Sequence, residues 1–208
     1  RLTMDGFTTT NCQGFAAGDT IRTKASAAPT SCSVTGNFAD CSPTVVLTGS
    51  STTVADCETA FTASANVTAT ADTSIFKVGS KSAKIDIAVG FTTGLAAYFA
   101  TGTLDLSASQ ILTFWLHQSA GTNIVSGDLT VTLCSDTAGA TPVDLFYIPA
   151  IPSTAQWVPL TLTKSGGGNL GAAIASIALY SDTTAPANSS NIIVDNFIAC
   201  TTSGLSLT

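Results

Sequence analysis

His117 is the single histidine of this 208-residue chain, and no Gly-x-Ser-x-Gly elbow accompanies it. A Ser-His-Asp relay needs such a base set beside a nucleophile on a strained turn. His117 instead closes the densest apolar stretch, residues 110–117, which reads as a strand end. Carboxylates are as sparse. Glu58 is the only glutamate, and Asp86, Asp105, Asp128, Asp136, Asp144, Asp182 and Asp195 are scattered. Glycoside hydrolysis needs two carboxyls roughly 5–10 Å apart, one with a raised pKa. No spacing here promises such a pair, so the chain is expected not to be an enzyme.

Binding chemistry has better candidates. A β-protein holds a sugar on exposed aromatic faces with a few polar groups beside them, and Tyr98, Tyr147 and Tyr180 are the residues free for that role. Six cysteines stand at 12, 32, 41, 57, 134 and 200. None pair at Cys-x-x-Cys spacing, and the lone histidine is remote from them, so zinc is not expected. In a chain this rich in Ser and Thr they point instead to a setting outside the reducing cytosol. At least two of Cys12, Cys32, Cys41 and Cys57 are expected to be disulfide-bonded, each short loop contributing about 2–4 kcal/mol. Cys134 and Cys200 read equally well as buried thiols or as a bridge.

Composition bounds the rest. Charged residues make up 10%, apolar residues 45%, and the missing charge is replaced by 35 Thr and 23 Ser. Thr favours strands and Ser favours turns, while the Lys and Glu of exposed helices are scarce, so an α-rich protein is excluded. A net charge of −6 with no basic cluster argues against nucleic acid. No apolar run is long enough to span a bilayer, and no basic amphipathic helix is present, so no membrane partner is expected. No signal-like segment is read at Arg1, so a targeting peptide is expected to be absent or already removed.

These residues must be positioned by strands. Residues 1–53 carry turn signals and three cysteines but little alternation, and read as an extended N-terminal arm with too little core to stand alone. From residue 54 to 208, nine short runs alternate or are apolar: 66–70, 83–89, 95–100, 110–117, 128–134, 143–148, 157–162, 175–180 and 191–200. Ile85, Ile87 and Val89 share one face of the second run. Pro159 marks an edge or bulge. Residues 169–175 leave room for one helical turn. The fold class is all-β, an antiparallel β-sandwich of jelly-roll type with eight or nine strands. Asn66-Val67-Thr68 and Asn188-Ser189-Ser190 fit the glycosylation sequon, a match that chance supplies readily in such a composition.

The ordered segments Lys77-Val78-Gly79-Ser80-Lys81-Ser82-Ala83-Lys84-Ile85, Leu104-Asp105-Leu106-Ser107, Leu112-Thr113-Phe114-Trp115-Leu116, Trp157-Val158-Pro159-Leu160 and Ile193-Val194-Asp195-Asn196-Phe197 resemble the galactose-binding-like or carbohydrate-binding-module jelly roll. Residues 88–94, 133–142 and 194–200 resemble the variant of it found in structural proteins of tailed bacteriophages. The resemblance implies core positions for Trp115 and Trp157. It also implies a place for a structural calcium ion at Asp195, with backbone carbonyls near Cys57-Glu58. The alternative for Asp195 is a loop cap formed with backbone N–H groups. No other cofactor is expected.

The function expected from all this is a non-catalytic structural protein of an extracellular particle, foremost a phage capsid-decoration, tail or fibre protein. Its partners would be copies of itself or other virion or surface proteins, reached through the arm. The alternatives are a carbohydrate-binding module of a secreted protein, with glycans as partners, and a cell-surface filament or surface-layer subunit.

Overall fold

The structure, a computed structural model, describes residues 51–120, 123–152, 155–182 and 191–201. Nearly all of the expected arm, with Cys12, Cys32 and Cys41, lies outside these residues. Eleven strands are present among them: β1 (Ser51–Ala55), β2 (Thr62–Ala63), β3 (Val67–Asp72), β4 (Ser82–Ile87), β5 (Gly94–Leu104), β6 (Ile111–Ala120), β7 (Leu129–Cys134), β8 (Pro142–Tyr147), β9 (Trp157–Thr163), β10 (Ile174–Ser181) and β11 (Asn191–Cys200). The nine runs read from the sequence are β3 to β11. β1 and β2 were not anticipated, because β1 lies across the expected arm boundary and β2 has only two residues. Residues 169–175 contain no helical turn. β4 stops at Ile87, and Val89 is 67% exposed instead of continuing the apolar face.

All pairings are antiparallel. One sheet runs β3-β4-β11-β6-β9, with β1 also paired to β11; the other runs β2-β5-β10-β7-β8. β9, with its proline, is an edge strand as read. Alternating side chains from both sheets fill the core. Ile85, Ile87, Leu112, Phe114 and Leu116 come from the first sheet, and Leu129, Val131, Leu133, Phe146, Ile177 and Leu179 from the second. Period-2 alternation places these side chains on the inner faces with no further instruction.

β11 is the exception, and its irregularity builds the middle of the core. Asp195 pairs with Trp115 and Ile198 with Thr113, so Asn196 and Phe197 together oppose one residue of β6. Asn196 takes a left-handed φ of 54° at this bulge. The bulge resets the alternation, so Ile192, Val194, Phe197 and Ala199 all reach the core while Asp195 points outward. Phe197 stacks on Phe114 at 4.6 Å between centroids and touches Phe61 at 6.4 Å. Phe61 in turn stacks on Phe99 of the second sheet at 5.4 Å, so one aromatic chain ties the two layers.

Candidate binding face

The three tyrosines singled out from the sequence meet on one surface, the outer face of the second sheet. Tyr180 of β10 lies opposite Thr130 of β7, and Thr130 lies opposite Tyr147 of β8. Tyr98 of β5 sits one step along, opposite Ala178. Neighbouring strands are about 4.8 Å apart, so Tyr180 and Tyr147 are roughly 10 Å apart across the sheet.

Half of this face is covered. The loop of residues 135–141 between β7 and β8 folds back over Tyr98 and Ala178. Ser176 donates its hydroxyl to the Asp136 carbonyl at 2.5 Å, and Tyr180 donates its hydroxyl to the Gly139 carbonyl at 2.6 Å. A Cβ on Gly139 would stand 2.8 Å from the Tyr98 Cβ and 3.0 Å from the Ala178 Cβ, and Gly139 has a φ of 71°. Only glycine fits there. Inside the loop the Asp136 carboxylate accepts the N–H groups of Ala138, Ala140 and Thr141. Those bonds, the one from Ala140 foremost, hold its pKa down at about 2. The loop explains why the outward-facing Cys134, Ser176 and Ala178 are buried.

What remains open is the β8 side. Tyr147 is 54% exposed, and Leu145 and Val143, which share its face, are 36% and 43% exposed. The Thr130 hydroxyl next to Tyr147 is donated to the Asp182 carboxylate. Tyr147 is thus the one tyrosine of the three with a free ring; Tyr98 and Tyr180 act chiefly as a seat for the loop.

The first sheet corrects the reading of the tryptophans. Trp115 and Trp157 are not core anchors; both stand half-buried on the outer face, because they alternate with the inward Leu112, Phe114, Leu116 and Val158, Leu160. His117 is 6% exposed beside Trp157, ring centroids 5.2 Å apart, and its Nδ1 has no partner among the described residues. The Lys77 ammonium lies 4.6 Å over the Trp115 ring. A groove of about 230 Å³ runs beside it, lined by Thr113, Trp115, Pro159, Thr161, Asn196 and Ile198 among others.

Asp195 caps a loop in this arrangement, the second of its two readings. It is fully buried, and its Oδ2 accepts the N–H groups of Lys77 at 2.7 Å and Val78 at 2.9 Å. Glu58, the nearby acid, is also engaged, taking the Ser80 N–H at 2.8 Å and the Ser80 hydroxyl at 2.6 Å. Calcium needs six to eight oxygens, and no group of three or more His, Cys, Asp or Glu converges among the described residues. Asp195 Oδ1 is buried without a partner.

Burial, foremost, raises the pKa of Asp195 despite the N–H groups that oppose the shift. A carboxyl whose folded-state pKa is raised contributes stability at pH below its ordinary range and loses it as pH rises through the raised value. Asp195→Asn keeps an acceptor for the two N–H groups and removes that loss. The melting temperature of the variant relative to the parent is therefore expected to climb between acid and neutral pH in calorimetric scans. A difference that does not change with pH would contradict the raised pKa.

Cys57 is a free thiol, fully buried at a left-handed φ of 62°, with its sulfur 3.9 Å from the Ala55 carbonyl. Burial pushes its pKa up to about 12. The bridge expected among Cys12, Cys32, Cys41 and Cys57 otherwise rests on residues outside those described. Cys134 and Cys200 are free as well, since alternation sends them to the outer faces of opposite sheets. Of the two sequons, Asn66 donates its amide to the Gly90 carbonyl at 2.9 Å, and residues 188–190 lie outside the described residues.

No family model and no curated protein matches the chain. Solved structures similar in fold include the arabinose-bound α-L-arabinofuranosidase MgGH51, 13% identical with a TM-score of 0.49 over 72% of this chain and 24% of that one. The family 11 carbohydrate-binding module from Clostridium thermocellum, in complex with a β-1,3-1,4-mixed-linked tetrasaccharide, is 13% identical with a TM-score of 0.44 over 74% and 89%. The CBM22-1 xylan-binding domain of Paenibacillus barcinonensis Xyn10C is 14% identical with a TM-score of 0.41 over 73% and 92%. The chain thus spans about a quarter of the first and about nine tenths of the two modules. These are likenesses in fold. They lend no support to the phage-virion variant.

Proposed function

We infer that the sandwich is a non-catalytic carbohydrate-binding module of jelly-roll type, acting outside the reducing cytosol. The observation that carries this reading is the tyrosine face: three tyrosines from three strands share one sheet surface, and Tyr147 at its open side offers more than half of its surface to solvent. An amphipathic ring in the open stacks on the C–H face of a pyranose while its hydroxyl stays wet. The Asp182 carboxylate, which accepts the hydroxyl of Thr130, the residue opposite Tyr147, supplies an acceptor that orients sugar hydroxyls, the usual division of labour between apolar area and a few polar groups. The scarcity of charge suits a neutral ligand.

A microarray of neutral polysaccharides followed by titration calorimetry on the best oligosaccharide tests this. Tyr147→Ala is expected to weaken binding about fivefold with an unchanged melting temperature, since one stacking contact is worth about 1 kcal/mol and Tyr147 is outside the core. Retention of no glycan, or an affinity untouched by Tyr147→Ala, overturns the reading.

A further inference from the structure

We propose that β3 is a contact edge for a second copy of this chain, the two β3 strands pairing antiparallel so that the first sheet continues from one copy into the other. The phase of the β3–β4 ladder decides which groups face outward. The Ala88 N–H donates to the Asn66 carbonyl at 3.0 Å, which makes Asn66 and Ala88 a hydrogen-bonded pair. Counting by twos, Thr68, Thr70 and Asp72 turn their N–H and C=O groups to β4. Those of Val67, Ala69 and Ala71 point away from it. The Val67 N–H is taken by the Ser64 carbonyl at 3.2 Å, whereas nothing among the described residues takes up the outward groups of Ala69 and Ala71.

Sheet edges are normally guarded by proline, lysine, a bulge or short length. The other edges here follow that rule. β9 carries Pro159 at its middle, and β1 has a register shift between Thr53 and Ala55. β2 has two residues, and on β8 the Leu145 carbonyl is capped by the Ser165 N–H at 2.7 Å. β3 has none of these devices. Its sequence is Val-Thr-Ala-Thr-Ala-Asp, and it pairs with β4 without a shift over all six residues.

The occupant is a second copy because the edge is self-complementary. In the register centred on Ala69, each copy donates from Ala69 to the other's Ala69 carbonyl and from Ala71 to the other's Val67 carbonyl. Thr68 of each copy then faces Thr70 of the other across a non-hydrogen-bonded position, where Cα atoms approach to about 4.5 Å. Both threonines are exposed on the outer face, and threonine pairs are favourable there. Asp72, the only charged residue of β3, falls opposite Asn66, so no like charges meet. The contact is small, below the roughly 1,200 Å² of a stable interface, so the pair should come apart on dilution.

Sedimentation equilibrium of the full chain across a dilution series is the first test, with the mass expected to rise from 20.9 kDa to twice that value with concentration. Hydrogen exchange is expected to protect the Ala69 and Ala71 amides in the concentrated sample and release them on dilution. The double variant Thr68→Lys, Thr70→Lys sets like charges opposite one another and is expected to weaken association at least about tenfold. Ala71→Pro removes an outward N–H that makes no bond to β4 and should act alike, with circular dichroism confirming the fold of both. A chain that stays monomeric at the highest concentration overturns the proposal. So does a dimer that neither variant weakens, or amide protection in a monomer, which would assign the edge to some other extended segment.

Discussion

Replacing Phe197 with alanine is expected to lower the unfolding free energy by about 3–5 kcal/mol, a large share of what holds a domain of this size together. Phe197 is 2% exposed and occupies the middle of the aromatic chain between the sheets, stacked on Phe114 and in contact with Phe61. Two costs add. Removing the ring returns its transfer free energy, and the cavity left behind strips Phe114 and Phe61 of contacts. The site cannot collapse cheaply, because β11 is held by β6 on one side and by β4 and β1 on the other. Phe197→Leu retains most of the volume and should lose distinctly less. Urea unfolding reads both, as a lower midpoint with an unchanged slope. A loss for the alanine variant below about 1 kcal/mol would mean that the two sheets are not tied through this ring.

Lys164→Met is expected to be the next most damaging change, by about 3 kcal/mol. Asp144 belongs to the inner face of β8, and its side chain is 1% exposed. Its Oδ1 accepts from the Lys164 ammonium at 2.9 Å, and its Oδ2 from the Gly171 N–H at 2.7 Å. Methionine preserves the stem of the lysine but leaves a buried carboxylate with a single neutral donor. The low end of the range for a broken buried pair applies, because the lysine side chain is 21% exposed and its charge is partly solvated. The double variant Asp144→Leu, Lys164→Met removes both charges and should recover most of the loss, short of the roughly 1 kcal/mol tied to the Gly171 N–H. A double-mutant cycle from urea unfolding measures the coupling. Equal losses in the single and the double variant would show that the ion pair itself matters little and that the lysine stem does.

The strand pattern was legible because period-2 alternation is a local property. Any chain with Leu129, Val131 and Leu133 spaced by threonines can bury one face of a sheet only in one phase. That reasoning found nine of the strands and the edge role of β9, and it failed where alternation was too short or was interrupted, at β2 and at the bulge of Asn196. For Trp115 and Trp157 it offered no correction to the core positions that the resemblance implied. In a stretch as apolar as residues 111–116 the phase identifies two faces without saying which is inner, and the inner one proved to be that of Phe114.

Composition and spacing thus determined an all-β chain with few charges and no recognisable catalytic pattern. Only the tertiary structure decided which side chains meet. Asp195 caps a loop 117 and 118 residues away, at Val78 and Lys77, a relation that exists because β11 enters the sheet between β4 and β6. Tyr98, Tyr147 and Tyr180 share a face because β5, β10, β7 and β8 are neighbours in that order, and Tyr147 alone stays open because Gly139 lets the loop of residues 135–141 lie against the other two. Alternation fixes the side of a strand on which a residue stands. The order of strands, settled by burial of the whole core at once, fixes what stands beside it.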